Sequence, residues 1–97
     1  MAGLLDGVRV LDFTQVIAGP ACTRLMAELG AEVIKVELAP LGDYARGMPL
    51  MRDGRSAYFF QHNQGKLSLC LDLGRPRARA MVGELVKKAD VMVENFS

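Results

Sequence analysis

The sequence contains no tryptophan, one histidine and two cysteines among 97 residues. With so few candidate ligands, no pair of His and Cys residues has the spacing of a metal site, and no metal is predicted. Cys22 and Cys70 fit buried thiols in a reducing compartment better than a disulfide framework, so a cytoplasmic location is expected. His62 has no recognisable nucleophile or carboxylate partner, which favours an ordinary loop residue over a catalytic one.

Strong net charge and long apolar runs are also missing. The formal net charge is +1, which gives no reason to expect nucleic acid or an anionic membrane as a partner. No apolar run reaches the ~20 residues that a bilayer-spanning helix needs, and no secretory signal is predicted at the N-terminus. A composition of 51% hydrophobic and 24% charged residues is typical of one globular domain.

The clearest pattern is strand, loop, helix and strand over residues 8–37. A near-continuous apolar run at residues 8–13 predicts a strand covered on both faces. Pro20 suits the first position of the following helix, and Gly30 its left-handed C-cap. A second buried strand is predicted at residues 33–36. Such a unit pairs its strands in parallel through a right-handed crossover.

The first predicted helix has an apolar and a polar face. The apolar face is formed by Ala21, Cys22, Leu25, Met26 and Leu29, and the polar face by Thr23, Arg24 and Glu28. A thiolate would be favoured in the first turn of a helix. Because Cys22 falls on the apolar face, a buried structural thiol is the better interpretation.

The remaining chain predicts two more strands and a second long helix. A strand is expected at residues 67–71, an amphipathic helix at 76–89 and a strand at 91–93. Residues 57–62 predict a short helix or an aromatic anchor. The long polar loop at residues 38–56 is expected to be functional or disordered.

These elements predict an α/β fold with a Rossmann-like parallel sheet of about four strands. A buried strand so close to the end of the sequence lacks a covering element. We therefore expect residues 1–97 to be the N-terminal portion of a larger domain, truncated at its C-terminal end.

The loop before the first helix is a candidate anion site. A helix N-terminus attracts phosphate or carboxylate groups, and Ala18 and Gly19 would let a ligand approach the backbone. The loop has neither a GxGxxG fingerprint nor a P-loop, so a simple connection without a ligand is an equal alternative. Asn95 and Phe96 follow the fourth strand, where doubly wound sheets bind ligands.

Several other polar residues fit a purely structural role as well as a functional one. Asp12 and Asp72 are candidates for buried, hydrogen-bonded carboxylates, but spacing identifies no partner for either. The arginines at the start of the last helix, Arg75, Arg77 and Arg79, would suit phosphate binding, although a solvated helix face is the commoner role. No catalytic residue is predicted from these patterns.

Four ordered motifs resemble family III CoA-transferases, the family of formyl-CoA:oxalate and carnitine CoA-transferases. Residues 5–37 match the N-terminus of the family, and Gly42-Asp43 with Arg46 resembles its GDxxR loop. Residues 63–68 resemble its NRGKRS segment, which is followed by LDL at residues 71–73. Residues 89–96, ADVMVENF, resemble its ADVVVENF segment. The resemblance covers essentially the whole chain.

The resemblance implies a Rossmann-like CoA-binding domain in an interlocked homodimer. Such enzymes transfer CoA between carboxylic acids through an aspartate that forms an acyl anhydride, so acyl-CoA and carboxylic acids are the expected substrates and no permanently bound cofactor is expected. The CoA-lining positions of the family correspond here to Val16, Ala18, Leu71, Asn95 and Phe96. A lysine of the family is replaced by Gly74, and the adjacent Arg75 is the candidate substitute.

The nucleophilic aspartate of the family lies downstream of residue 97, so this chain is expected to be inactive alone. Three alternatives stay open. The α-methylacyl-CoA racemases share the fold, although Asn95 stands where racemases tend to have proline, which favours the transferases. The chain could also be a stand-alone CoA- or nucleotide-binding module, or half of a split enzyme with a C-terminal partner chain. A poorly folding remnant that binds nothing is a third possibility.

Overall fold

A computed structural model describes residues 3–48 and 51–96. Pro49, which belongs to the predicted long loop, lies outside the described residues. The elements in chain order are β1 (Arg9–Asp12), α1 (Ala18–Glu28), β2 (Glu32–Leu38), a 3₁₀ helix (Tyr44–Gly47), β3 (Met51–Arg52), β4 (Arg55–Ser56), α2 (Ala57–Asn63), β5 (Leu67–Leu71), α3 (Pro76–Lys88) and β6 (Val91–Val93).

Four parallel strands form the central sheet in the order β5-β2-β1-β6. β1 lies inside the sheet, where Val10 is paired with Val33 of β2 on one side and Val91 of β6 on the other. All four strands end at the same edge, since they are parallel. The predicted Rossmann-like α/β fold is confirmed.

Each face of the sheet buries its own apolar cluster. One cluster is built on Val10, Ala31 and Val33, with Met26 and Ala27 of α1 packed against it. The other is built on Leu11, Phe13 and Val36, with Val82 and Leu85 of α3 packed against it. Because neighbouring side chains of a strand point to opposite faces, Val10 and Leu11 place β1 in both clusters. A side chain such as Leu11, 1% exposed, stabilises the fold by about 1.5–3 kcal/mol through burial.

The first helix begins two residues earlier than predicted. Its first residue is Ala18, and Pro20 occupies the third helical position instead of the first. Proline is tolerated there because the first N–H groups of a helix have no intrahelical acceptor. Gly30 follows the C-cap residue Leu29 with φ +108°, which confirms its predicted left-handed conformation.

The predicted apolar face of α1 is right at Met26, which packs against the core, but wrong at Cys22, Leu25 and Leu29, which are exposed. Thr23 is fully buried, whereas Leu25 is 51% exposed and Cys22 is also exposed. Thr23 Oγ1 donates a hydrogen bond of 2.7 Å to Asp12 Oδ2, and this contact turns Thr23 toward the sheet. Met26 and Ala27, three and four residues later, therefore reach the core instead of Leu25. Cys70, on the edge strand β5, is exposed as well, so neither cysteine is the buried thiol that was predicted.

The described part of the long loop has regular structure. It contains the 3₁₀ helix and the antiparallel hairpin of β3 and β4. After the hairpin, Ser56 Oγ accepts a hydrogen bond from Phe59 N at 3.4 Å and caps α2. The Phe59 ring lies 3.8 Å from Arg46 Cζ, so α2 is both a short helix and an aromatic anchor for the preceding segment.

Candidate functional site

A cleft of about 500 Å³ lies at the carboxyl ends of β1 and β6. Four of the six residues predicted to bind CoA, Val16, Ala18, Asn95 and Phe96, line it. Tyr44 of the 3₁₀ helix also lines the cleft and was not predicted from the sequence. Only its position directly after Asp43 of the GDxxR-like motif could have drawn attention to it.

Asn95 joins the two loops that form this cleft. Its Nδ2 donates to the carbonyl oxygen of Gln15 at 2.9 Å, and its Oδ1 accepts from the Gln15 amide, also at 2.9 Å. Phe96 follows, with its ring centroid 6.5 Å from that of Phe13. The Phe96 side chain is half exposed and supplies an apolar wall of the cleft.

Val16 has a left-handed backbone at the base of the loop. Its φ is +70°, a conformation that a β-branched residue rarely adopts. Its amide donates to Asp43 Oδ1 at 2.9 Å. The next element is α1, whose N-terminus carries no side-chain cap and therefore keeps the partial positive charge of a helix start beside Ala18.

Gly19 has a packing role that explains its identity without a ligand. A Cβ atom at this position would lie 2.5 Å from Thr14 Cβ and 2.5 Å from Thr14 Cγ2. Glycine thus lets α1 pack closely on the loop after β1. The approach of a ligand to Gly19 stays a prediction.

Leu71 and Arg75 lie apart from this cleft. The Leu71 side chain packs against the core cluster built on Leu11, Phe13 and Val36. The Arg75 side chain is 80% exposed, with its Nε 3.4 Å from Asp72 Oδ2. β5 is two strands from β1, about 10 Å at the usual strand spacing. Both residues nevertheless follow the same carboxyl edge of the sheet as the cleft.

The other candidates in this region have local partners. Asp72 is exposed and accepts a hydrogen bond from the Gly74 amide at 3.0 Å, so it is not a buried carboxylate. Arg79 donates to the Leu73 carbonyl oxygen at 2.9 Å, and Arg77 is exposed on α3.

Beneath the cleft lies a buried polar frame that the sequence did not predict. It consists of Asp12, Lys35, Glu37, Asp43, Asn63 and Lys66. Lys35 Nζ donates to Asp43 Oδ2 at 2.6 Å, to Asn63 Oδ1 at 2.8 Å and to the Thr14 carbonyl oxygen at 3.1 Å. The Lys35 and Asp43 side chains are 1% and 0% exposed.

Lys66 forms the second half of the frame. Its Nζ donates to Asn63 Oδ1 at 2.7 Å and to the Pro20 carbonyl oxygen at 3.1 Å, and it lies 2.9 Å from Asp12 Oδ2. Burial lowers the pKa of Lys66, although Asp12 opposes the shift. The amide oxygen of Asn63 is thus shared between two buried ammonium groups.

Asp12 is a charged, fully hydrogen-bonded member of the frame. Burial alone would raise its pKa, but hydrogen bonds from Thr14 and Thr23 and the charge of Lys66 outweigh burial and hold the pKa below its usual value. The expectation of a buried, hydrogen-bonded carboxylate is confirmed here, and its partners are Thr14, Thr23 and Lys66.

A larger cleft, of about 740 Å³, lies between α1, the β3–β4 hairpin and α2. Three arginines, Arg24, Arg52 and Arg55, line it. None of its lining residues follows a strand of the parallel sheet, where ligands of doubly wound folds bind. We therefore place the candidate site at the smaller cleft.

The lone histidine lies in α2 and not in a loop, which corrects the expectation of an ordinary loop residue. His62 Nδ1 lies 2.8 Å from the Tyr58 carbonyl oxygen, and the two rings are stacked with centroids 5.7 Å apart. Within residues 3–48 and 51–96, no group of three His, Cys, Asp or Glu side chains is arranged to hold a metal ion. No helix in this described part of the chain has the length and apolar character to cross a bilayer.

Comparison with known proteins identifies the family. The model of CoA-transferase family III matches residues 5–97. The chain is 47% identical over 97 residues to formyl-CoA:oxalate CoA-transferase of a Bradyrhizobium species, covering 99% of this chain and 23% of the relative. It is 52% identical over 99 residues to succinyl-CoA:mesaconate CoA-transferase of Haloarcula hispanica, covering 97% and 25% respectively.

A solved structure shows the same fold. A CaiB/BaiF family protein from Brucella suis superimposes with a TM-score of 0.89 at 39% identity, covering 99% of this chain and 26% of that protein. The chain thus spans about a quarter of the length of these relatives. It belongs to CoA-transferase family III, and the resemblance noted in its four motifs is confirmed.

Proposed function

We propose that this chain serves as the N-terminal part of an acyl-CoA:carboxylate CoA-transferase and supplies part of the CoA-binding site. The observation that carries the proposal is the cleft in which Val16, Ala18, Asn95 and Phe96 meet at the carboxyl edge of the sheet. This is the edge at which doubly wound folds bind nucleotide-containing ligands.

The chemistry of the cleft suits the parts of CoA. The uncapped N-terminus of α1 supplies backbone N–H groups and positive potential for a phosphate or thioester oxygen. Ile17 and Phe96 supply apolar contacts for the pantetheine arm. Leu71 and Arg75, further along the same edge, are assigned to the nucleotide end, where the exposed Arg75 guanidinium would pair with a phosphate.

The chain provides no nucleophile in this proposal. Asp12 and Asp43 are fully buried and already accept hydrogen bonds from protein donors, so their oxygens have no path to a substrate. The aspartate that carries the acyl group would come from outside these 97 residues. We therefore expect transfer activity from the complete enzyme, assembled as an interlocked homodimer, and no turnover from residues 1–97 alone.

The partners follow from the same chemistry. Acyl-CoA and carboxylic acids are the proposed substrates, with formyl-CoA, succinyl-CoA, oxalate and mesaconate as first choices because the relatives carry those names. The free, exposed thiols of Cys22 and Cys70 agree with a cytoplasmic enzyme, since a reducing compartment keeps such thiols from pairing.

The test is an assay of the full-length protein that contains this sequence. Transfer of CoA from formyl-CoA or succinyl-CoA to an acceptor acid, followed by chromatography of the new thioester, is the expected result. Exchange of the α-proton of a 2-methylacyl-CoA in deuterium oxide, without transfer, would instead establish the racemase alternative.

A second measurement addresses the stand-alone alternative. Calorimetric titration of the 97-residue chain with CoA, together with its native mass, separates a binding module from a part that needs the rest of the enzyme. Tight CoA binding by a stable monomer, with no transfer activity in any longer form or with any partner chain, would replace the transferase proposal with a binding module.

A further inference from the structure

We infer that Asp43 is a positioning residue that shapes the CoA cleft by holding Val16 in its left-handed backbone conformation. The inference rests on the proposed function, because it concerns the same cleft. Nothing in the resemblance to the family assigns this role to Asp43.

The first step is the strain at Val16. A β-branched residue at φ +70° persists only where surrounding contacts outweigh its preference for extended backbone. Val16 itself lines the cleft. A relaxed φ at this residue would rotate the adjoining peptide units and move Ile17 and Ala18 at the cleft wall.

The second step is the set of contacts that hold the loop. Three successive residues each have a backbone group bound by a side chain from a different part of the fold. The carbonyl oxygen of Thr14 accepts from Lys35 of β2, and both backbone groups of Gln15 pair with Asn95. The Val16 amide donates to Asp43 Oδ1 at 2.9 Å.

The third step is the way Asp43 is held. Its Oδ2 accepts from Lys35 Nζ at 2.6 Å, and its side chain is 0% exposed. Its Oδ1 also accepts from the Ala45 amide at 2.9 Å, which caps the 3₁₀ helix that carries Tyr44. One buried carboxylate thus places two walls of the cleft, at Val16 and at Tyr44.

The test compares two double variants of the full-length protein that both lack the buried ion pair. K35M/D43N keeps an acceptor oxygen for the Val16 amide, whereas K35M/D43L removes it in a side chain of similar size. Since neither variant leaves a lone buried charge, both are expected to fold. Circular dichroism and thermal unfolding verify this before binding is measured.

We expect K35M/D43N to bind CoA within about threefold of the unaltered protein. K35M/D43L should bind at least about tenfold more weakly, because the amides of Val16 and Ala45 both lose their acceptor. Adding V16G to K35M/D43L should restore part of the lost affinity, since glycine adopts a positive φ without strain. A role in stability alone predicts no such recovery, because removal of the Val16 side chain adds no stabilising contact.

Equal CoA affinities for K35M/D43N and K35M/D43L would overturn the inference. Failure of the unaltered protein to bind CoA would instead reject the proposed function. Amide hydrogen exchange of the unaltered protein gives a measurement that needs no variant. The Val16 amide should be protected in the absence of CoA, and an exchange rate equal to that of an unstructured peptide would contradict the inference.

Discussion

Glu37 and Arg46 form two parallel hydrogen bonds, Nε to Oε1 and Nη2 to Oε2, each of 2.7 Å. The Glu37 side chain is 2% exposed, and its Oε1 also accepts from the Asp43 amide at 3.0 Å. The Glu37 side chain thus joins β2 to the segment that carries Asp43 and Arg46. A Cβ atom at Gly42 would lie 2.6 Å from Glu37 Oε1, so this arrangement also requires glycine at the turn.

We predict that the Glu37 carboxylate makes the free energy of unfolding decrease at acidic pH. Burial raises the pKa of Glu37, but hydrogen bonds from Arg46, Ser68 and the Asp43 amide lower it from 4.5 to about 2. The folded chain therefore binds fewer protons than the unfolded chain between these values. The stabilisation, about 3 kcal/mol, is present above pH ~5 and is lost as the pH falls toward 2.

Urea unfolding of the unaltered protein and of E37Q between pH 2 and 7 measures this effect. The difference in unfolding free energy between the two should be largest near neutrality and shrink as the pH falls below about 4.5. E84Q is the matched control, because the Glu84 side chain is 69% exposed and forms a surface ion pair with Lys87. An E37Q difference that stays constant across the range would contradict the prediction.

We predict opposite effects for alanine at two glycines. G19A places a Cβ against Thr14 and should lower the free energy of unfolding by about 1–3 kcal/mol through overpacking. G83A lies inside α3, where a new Cβ meets nothing within 4 Å, and should raise it by about 0.5–1 kcal/mol. Thermal unfolding of both variants provides the comparison, and a neutral G19A would show that the Thr14 contact relaxes freely.

The sequence predicts the elements of this fold better than their orientation. The strand at Arg9–Asp12 and the turn glycine Gly30 follow from local patterns that the structure confirms. The orientation of α1 does not, because it depends on the hydrogen bond between Thr23 and Asp12, which lie eleven residues apart. Local periodicity places Thr23 on a polar face, whereas a specific buried contact places it in the core.

The motifs that identify the family contribute residues to the buried polar frame as well as to the cleft. Asn63, Lys66 and Asp43 belong to motifs recognised in the sequence. In the structure Asn63 accepts from both Lys66 and Lys35, and Asp43 accepts from Lys35. Spacing along the chain does not show this, since the contacts join β2, α2 and the segment before the 3₁₀ helix. Asn95 combines a motif position, a contact to the opposite loop and a place at the cleft.

We predict that Asn95 is needed for the shape of the cleft more than for overall stability. N95D keeps an acceptor for the Gln15 amide but places a carboxylate oxygen against the Gln15 carbonyl oxygen. Loss of this one bond in an exposed position should cost about 1 kcal/mol of unfolding free energy. CoA affinity, measured by calorimetry in the full-length protein, should fall by about tenfold or more, because the carboxylate also repels phosphates.

N95A separates the two effects. It removes both hydrogen bonds to Gln15 without adding charge, so its affinity should lie between those of N95D and the unaltered protein. Raising the salt concentration should narrow the gap between N95D and N95A, since ions screen the repulsion of an exposed charge. Unchanged affinity in both variants would remove Asn95 from the proposed site.

The ion pair of Lys35 and Asp43 should show a large penalty when only one partner is removed. K35M leaves the Asp43 carboxylate buried without its ammonium partner, and we predict a loss of about 3–5 kcal/mol in unfolding free energy. K35M/D43L should lose much less, because it leaves no lone charge in the interior. K87M, at a side chain 74% exposed, should change stability by no more than about 0.5 kcal/mol. Urea unfolding of the three variants at pH 7 measures these differences. If K35M/D43L is as unstable as K35M, the loss comes from the hydrogen bonds that Asp43 accepts from Val16 and Ala45, and not from the lone charge.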